Sequence, residues 1–332
     1  MLFSLQGIYP SIIVSASDNY SDVNKYNLSV EYNESNNIVT VSGRVDSENA
    51  GKKVTLMVLN PTDADEQKAY TLSDISPNNL KERVFAVRQD NVTKNGSFSF
   101  TYKWTPDMTG GMFSYKVAVS GIEDDESERT ITEYFSSNKL IKEAVLALNS
   151  ADISAVAKGL ADRDLGLDTE NSLFINNAER VAYKFISYKG DMVYTDENDL
   201  DKVKSAFEKC MFYTSVDAGD VTVEELEQYY TDNSLVYMDV YSEIKDSVLN
   251  IIAKSKSSNI TSDAELKSYV DICTILALIN EAGRETLISL IENNNKVLEI
   301  AETEQYAFYS KCSETDKIAI NARLTEKEYI TV

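Results

Sequence analysis

Histidine is absent from this chain of 332 residues. Catalysis by a Ser-His-Asp or Cys-His arrangement, zinc held by imidazole and a histidine pH switch are therefore excluded. Basic residues are scarce as well, because 32 lysines and arginines stand against 54 acidic residues and give a formal net charge of −22. The electrostatic field of this negative charge repels phosphate backbones and anionic lipids. The composition therefore argues against a nucleic-acid-binding protein and against a basic membrane-surface module.

Cysteine and recognised catalytic motifs are also rare. The three cysteines, Cys210, Cys273 and Cys312, are odd in number and form no C-x-x-C pair, so neither a zinc knuckle nor a disulfide framework is expected. Their apolar surroundings favour three small core residues, with a single bridge left open as an alternative. The chain has no Walker loop and no G-x-G-x-x-G, G-x-S-x-G or H-E-x-x-H motif. We therefore predict no cofactor, no metal and no enzymatic activity.

The N-terminal residues have the character of a targeting signal. Residues 2–16 are apolar and uncharged, end in Val14-Ser15-Ala16, and are too few to span a bilayer. A secretory signal also needs a positive start, whereas the first basic residue here is Lys25. We interpret residues 1–16 as the remnant of a signal peptide that starts at an internal Met and is cut after Ala16. A buried N-terminal strand is the alternative.

Residues 25–136 alternate apolar and polar side chains with a period of two. About seven short segments show this pattern, and Asn or Gly residues that favour turns separate them. Such spacing predicts an antiparallel β-sandwich in which each sheet buries one face. Asn95-Gly96 is the strongest single hairpin signal, because both residues tolerate a positive φ.

The same region resembles a known class of module. The segments that carry the resemblance are Val39–Gly43, Val54–Pro61, Asn95–Phe100 and Gly111–Val117. Together they are similar to the bacterial Ig-like modules of secreted Gram-positive surface proteins. Phe113 stands where many relatives have Tyr, which puts a tyrosine-corner hydrogen bond in doubt. The resemblance implies an Ig-like sandwich that acts as an extracellular spacer or adhesive module.

Two features of this region are candidates for binding sites. Trp104, the single tryptophan, is either a sugar-stacking platform or, because it alternates in phase with Phe98, Phe100 and Tyr102, a core residue. The acidic stretches Asp63–Glu66 and Glu123–Glu128 match no calcium-ligand spacing and are interpreted as solvated loops. Further along, a calcium loop that began at Asp162 would need glycine at its sixth position and glutamate at its twelfth, where Leu167 and Leu173 stand. Residues 162–168 are therefore interpreted as a buried turn between helices.

Residues 137–332 have helical periodicity and an internal repeat. Apolar residues recur three and four apart, and no segment has the pattern of a strand. Leu148-Asn-Ser-Ala recurs as Ile279-Asn-Glu-Ala at an offset of 131 positions, and Leu200 recurs as Leu266 at an offset of 66 positions. Both offsets fit a unit of about 66 residues, which predicts copies at about 137–197, 198–263 and 264–332, the last of them truncated. Chance similarity among Leu-, Ala- and Glu-rich helices is the alternative.

These helical segments resemble the repeats that accompany Ig-like modules in large Gram-positive surface proteins. Some of those proteins have S-layer-homology anchors, and others are polysaccharide-degrading enzymes. The matching residues are Leu148-Asn-x-Ala151, Leu165-Gly-Leu167, and Leu200 followed by Phe207. Each copy holds enough helices to stack as a solenoid or to pack as a separate bundle, and the length fits both arrangements.

We therefore predict a multidomain protein with an N-terminal all-β Ig-like sandwich and an all-α helical repeat array. Its expected role is that of a non-catalytic, secreted or wall-associated cell-surface segment, which acts as a spacer, scaffold or adhesion module. The expected partner is a cell-surface protein or polysaccharide, and the numerous tyrosines of the helical half either contact it or fill the core. The alternatives are a glycan-binding accessory region with Trp104 in its site, and a glycoside-active enzyme that uses paired carboxylates.

Overall fold

The chain changes from β to α structure near position 136. The chain divides into two compact units, Met1–Leu140 and Ile141–Val332. The first is called the β unit and the second the helical unit. Within the described residues every strand lies between 29 and 135 and only helices follow, which confirms the predicted order of all-β and all-α regions. The proposed signal-peptide remnant, residues 1–16, lies outside the described residues. The computed structural model describes residues 26–123, 129–255, 259–283 and 286–324.

The described part of the β unit contains nine strands, and every strand pair is antiparallel. The strands are β1 (Ser29–Asn33), β2 (Ile38–Arg44), β3 (Lys53–Leu59), β4 (Pro61–Thr62), β5 (Asp65–Ala69), β6 (Val84–Asn91), β7 (Ser97–Lys103), β8 (Gly111–Val119) and β9 (Thr130–Phe135). One sheet has the order β1-β2-β7, the second has the order β6-β3-β8-β9, and β4 pairs with β5 alone. A single helical turn, α1 (Leu80–Arg83), precedes β6.

The two larger sheets share one apolar core. Strand β7 illustrates the alternation, because Phe98, Phe100 and Tyr102 are buried while the residues between them are exposed. Buried side chains of β2 and β7 in one sheet and of β3 and β8 in the other belong to the same cluster. The hydroxyls of Tyr102 and Tyr115 also hydrogen-bond at 2.6 Å and link the two sheets inside this core. Each buried aromatic side chain contributes about 1.5–3 kcal/mol relative to an exposed one.

The prediction of a β-hairpin at Asn95-Gly96 is wrong, although the chain does form a tight turn there. Gly96 has φ of +86° and its N–H donates to Thr93 O, so a tight turn forms. The flanking strands do not pair with each other, because β6 pairs with β3 and β7 pairs with β2. Instead the turn passes the chain from one sheet to the other, and the Gly96 carbonyl accepts a hydrogen bond from Val45 N. A Cβ at Gly96 would lie 2.0 Å from Val45 O, so this approach requires glycine.

Ten helices follow in the described residues. They are α2 (Asn138–Ala147), α3 (Ile153–Leu160), α4 (Ser172–Lys189), α5 (Leu200–Ala218), α6 (Val223–Asp232), α7 (Tyr241–Ser255), α8 (Asp263–Glu281), α9 (Thr286–Asn293), α10 (Glu304–Tyr309) and α11 (Glu314–Leu324). Short polar side chains fix where several of them begin, because each accepts a hydrogen bond from a backbone N–H of the first turn and adds about 1 kcal/mol. These capping residues are Asp152, Asn171, Thr222, Ser262 and Thr303.

The apolar clusters of the helical unit follow one another along the chain. Buried members of the first lie between Ala144 and Cys210, those of the second between Tyr213 and Ala277, and those of the third between Leu287 and Tyr309. The three stretches do not interleave. Helix α5 closes the first cluster with Cys210 and opens the second with Tyr213, so one continuous helix is shared by two neighbouring cores.

Candidate binding groove of the helical unit

Trp104 lies in the core of the β unit. Its side chain is 2% exposed, and its ring centroid lies 4.9 Å from that of Phe135 and 5.2 Å from that of Tyr32. The indole N–H donates to the Thr109 carbonyl at 3.1 Å, which satisfies its single polar group. A ring enclosed in this way fills the core and presents no face on which a sugar can stack.

The acidic stretches are engaged in local structure. Asp63 accepts a hydrogen bond from Tyr70 OH at 2.7 Å, and Asp162 accepts one from the backbone at 2.9 Å in the turn that buries Leu165 completely. The stretch Glu123–Glu128 lies outside the described residues except for its first member. In the part of the chain that the structure describes, no group of three acidic or cysteine side chains has the arrangement that a metal ion needs.

The three cysteines are free thiols, so the single bridge that the sequence left open does not form. Cys210 and Cys273 are fully buried on α5 and α8, and burial raises the pKa of each thiol to about 12. Cys312 is partly exposed and its thiol donates to the Phe308 carbonyl at 3.4 Å. A protonated, buried thiol is a poor nucleophile, which leaves the two core cysteines with a packing role.

A buried ion pair joins three segments of the helical unit. Lys184 of α4 and Asp217 of α5 are both fully buried, and Lys184 Nζ lies 2.6 Å from Asp217 Oδ2. Lys184 Nζ also donates to the carbonyl of Ile260, in the segment that leads into α8. Burial lowers the pKa of Lys184, and the bond to Asp217 opposes this effect. The pair therefore ties the first helical cluster to the second.

A second polar network converges on Asp263, at the first residue of α8. Asp263 Oδ1 accepts from Tyr229 OH at 2.6 Å and from Tyr213 OH at 2.8 Å. Its other oxygen, Oδ2, accepts from Lys209 Nζ at 2.8 Å. The two tyrosine hydroxyls lie 3.2 Å apart. Since a helix N-terminus favours negative charge, the position of Asp263 adds to the stability of its carboxylate.

The network fixes the charge states of its members. Partial burial alone would raise the pKa of Asp263, but the hydrogen bonds from Lys209, Tyr229 and Tyr213 outweigh it and hold the pKa below the usual 3.8. Burial raises the pKa of both tyrosines well above 10, and their bonds to the carboxylate add to that effect. At neutral pH the site therefore contains an ionised Asp263 and two protonated phenols.

A groove of about 700 Å³ lies beside this network, between α5 and α6. Its aromatic part is a parallel pair, in which the rings of Phe212 and Tyr229 are 3.9 Å apart and inclined by 2°. The hydroxyl of Tyr229 is held by Asp263, so the network fixes the orientation of the ring. Charged and amide side chains of both helices complete the lining, among them Glu208, Lys209, Glu224, Gln228 and Asp232.

The chemistry of this groove favours recognition over catalysis. Both Asp263 oxygens already accept hydrogen bonds, so this carboxylate is not available as a general base. The raised pKa values keep both phenols protonated, which makes them donors and not nucleophiles. A rigid aromatic face beside carboxylates and an amide is instead typical of a binding surface, since tyrosine contributes contact area at low entropic cost.

The sequence did not predict this site, although it drew attention to two of its tyrosines. Tyr213 and Tyr229 belong to the group of tyrosines for which the sequence allows both contact and core roles, whereas Lys209 and Asp263 carry no signal of their own. Lys209 and Tyr213 are four positions apart, which places them on one face of α5. Asp263 lies 54 residues further along the chain than Lys209, and only the packing of α8 brings its carboxylate to them.

Comparisons with protein-family models, with curated proteins and with solved structures found no match to this chain. None of the helices in the described residues combines the length and the apolar character that crossing a bilayer requires.

Proposed function

We propose that this chain is a non-catalytic segment of an extracellular cell-surface protein, in which an Ig-like module and a helical repeat array act as a scaffold and adhesion unit. The observation on which this depends is that the apolar cores follow one another along the chain without interleaving. Such a serial order is typical of modular and repeat proteins, in which each unit packs mainly on its own residues and its neighbours.

The strand order supports an Ig-like module in the β unit. If the isolated pair β4 and β5 is set aside, seven strands remain, and the first, second and fifth of them form one sheet. The third, sixth and seventh lie side by side in the other sheet, as in immunoglobulin constant-type domains. The fourth, β6, pairs with β3 and not with β7, and sandwiches that share the architecture vary in such connections.

Matching local geometry supports the repeat of about 66 residues. Thr195 donates through its backbone N–H and its hydroxyl to Asp199, and Thr261, 66 positions later, donates in the same way to Glu265. The residues before them, Tyr194 and Ile260, are both buried. These two equivalent entries lead into α5 and α8, which are both 19 residues long.

The helices that precede these entries also match. Helix α4 is interrupted at Asn177 (φ −133°, ψ 21°), and α7 is interrupted at Ile244 (φ −128°, ψ 19°), which stands 67 positions later. Buried residues recur at the same offset around the two interruptions. These pairs are Phe174 and Tyr241, Val181 and Val248, and Phe185 and Ile252. The shared helix α5 favours neighbouring copies that use one helix in common over separate bundles.

Localisation is the first property to test. Antibodies raised against the purified chain should label intact cells of the organism that encodes it, and brief protease treatment of those cells should remove the label. Labelling only after lysis would contradict the proposal.

Screening the same chain on a polysaccharide array tests the glycan-binding alternative. Tight and saturable binding to one polysaccharide would favour an accessory region of a carbohydrate-active protein over a scaffold.

A further inference from the structure

We propose that the groove between α5 and α6 binds an arginine- or lysine-rich segment of a partner protein. This inference deepens the adhesive role proposed above and rests on it, because it assumes that the helical unit presents a binding surface. The charged side chains that line the groove are mainly acidic. Glu208, Glu224, Glu225 and Asp232 line it, and Lys209 is the single basic residue among its lining side chains.

The charge of Lys209 is already neutralised within the protein. Its ammonium lies 2.8 Å from Asp263 Oδ2, and its side chain is only 20% exposed. Glu208 and Glu224 are both exposed, and neither has an ion-pair or hydrogen-bond partner in the described parts of the chain. They lie on different helices, α5 and α6, so a cation in the groove would have a carboxylate on either side. The local field therefore favours a positively charged occupant.

The aromatic pair, Phe212 and Tyr229, makes the groove more selective for the kind of cation that it binds. The ring of Tyr229 is stacked on Phe212 and held by the bond of its hydroxyl to Asp263. The ammonium of Lys209 already lies 6.0 Å from the centre of the Tyr229 ring. A guanidinium or ammonium that enters the groove therefore gains its cation–π contact on Phe212, and the methylene groups of its side chain pack on the apolar edge. Arginine suits the groove best, because its planar group stacks on aromatic rings and binds carboxylates through two parallel hydrogen bonds.

The size of the groove and the charge of the chain favour a peptide segment over other occupants. A volume of about 700 Å³ exceeds one side chain and lies within the usual range of ligand sites. A second copy of the chain is a poor occupant, since each copy has a formal charge of −22. Neutral polysaccharides would leave the carboxylates of Glu208 and Glu224 without a counter-charge.

The test uses the whole chain and a fluorescein-labelled peptide of about nine residues in which arginine and glycine alternate. Fluorescence anisotropy should show saturable binding that weakens as the salt concentration rises, and a peptide with glutamate in place of arginine should not bind. The double variant Glu208→Gln/Glu224→Gln should bind roughly tenfold more weakly, with a shallower salt dependence. Phe212→Ala should also weaken binding, which a purely electrostatic attraction would not require.

A matched control separates the groove from the overall charge. The double variant Glu48→Gln/Glu170→Gln removes the same number of charges from exposed positions outside the groove and should bind like the wild-type chain. Equal losses in the two double variants, or unchanged binding in Glu208→Gln/Glu224→Gln, would overturn the proposal. Tighter binding of a polymer of amino sugars than of the arginine peptide would also overturn it. Circular dichroism establishes that each variant folds.

The outcomes for the groove and for the scaffold role are distinguishable. Peptide binding is measured on purified protein, whereas the scaffold role is tested by labelling intact cells. A chain that labels cells but does not bind the peptide retains the proposed function and loses this inference. Intracellular location would remove the proposed function whatever the peptide does.

Discussion

Replacing Lys184 by methionine tests how strongly the buried ion pair couples the first helical cluster to the second. The substitution removes the charge that lies 2.6 Å from Asp217 and leaves the Ile260 carbonyl without this donor. Arg180 lies 3.6 Å from Asp217 but is partly exposed, so it compensates the remaining carboxylate only in part. Breaking a fully buried pair by removing one partner costs about 3–5 kcal/mol.

This loss is a large part of the stability of an ordinary domain, which is about 5–15 kcal/mol. With a urea slope of roughly 2 kcal/mol per molar, the midpoint of helical unfolding should fall by about 2 M. Circular dichroism at 222 nm follows the helical unit. Fluorescence of Trp104, the single tryptophan, follows the β unit in the same samples and should be unchanged.

Two further variants make this prediction specific. Lys202→Met removes the pair with Asp199, in which the lysine is 65% exposed, and should lower the urea midpoint far less than Lys184→Met does. The double variant Lys184→Met/Asp217→Leu removes both buried charges and should recover most of the loss, since buried pairs are often replaced by apolar residues without penalty. A loss below about 1 kcal/mol for Lys184→Met, or no recovery in the double variant, would refute the reasoning.

Three other predictions concern different parts of the helical unit. Ellman's reagent should modify one thiol, Cys312, in the folded chain and three thiols in denaturant, because the other two are buried. The folded-state pKa of Asp263 lies below its usual value, so the stability that it contributes is complete above about pH 5 and is lost as the pH falls through the lowered pKa. Asp263→Asn should therefore flatten the acid limb of a plot of unfolding free energy against pH. Thr195→Ala and Thr261→Ala should each cost about 0.5–1.5 kcal/mol in urea unfolding, because they remove equivalent hydrogen bonds in the segments that lead into α5 and α8.

A specific result would contradict each of these three predictions. Two or three reactive thiols in the folded chain would show that the cores around α5 and α8 open readily. An Asp263→Asn variant with the same acid dependence as the wild-type chain would mean that the network does not hold the carboxylate ionised. A large loss for one threonine variant and none for the other would argue against the equivalence of the two repeat entries.

The alternation of side chains predicted the β unit well, because successive Cβ atoms of a strand point to opposite faces and the apolar set marks the buried one. Pairing was harder to predict. Asn95-Gly96 has the local chemistry of a turn, but the partners of the flanking strands are chosen by packing against β2 and β3, which lie far away in sequence. The ribbon of β4 and β5 was missed because its residues are mainly polar and show no alternation.

In the helical unit, too, local features could be predicted from the sequence, whereas contacts between residues far apart in the chain could not. Apolar spacing indicated helices, and the offset between Leu200 and Leu266 predicted a repeat of about 66 residues. The interruptions at Asn177 and Ile244 were not predicted, because neither glycine nor proline stands there to mark them. The groove was not predicted, since its network joins residues of three helices through contacts that no local pattern encodes.

Pulling the whole chain from both ends in a single-molecule force experiment tests the serial arrangement of its cores most directly. If each core depends mainly on its own residues, the β unit, about 110 residues, should unfold in a separate event that lengthens the chain by about 350–400 Å. The helical unit should lengthen it by about 600 Å more, in one or more other events. A single event that releases the length of both units together would contradict the account.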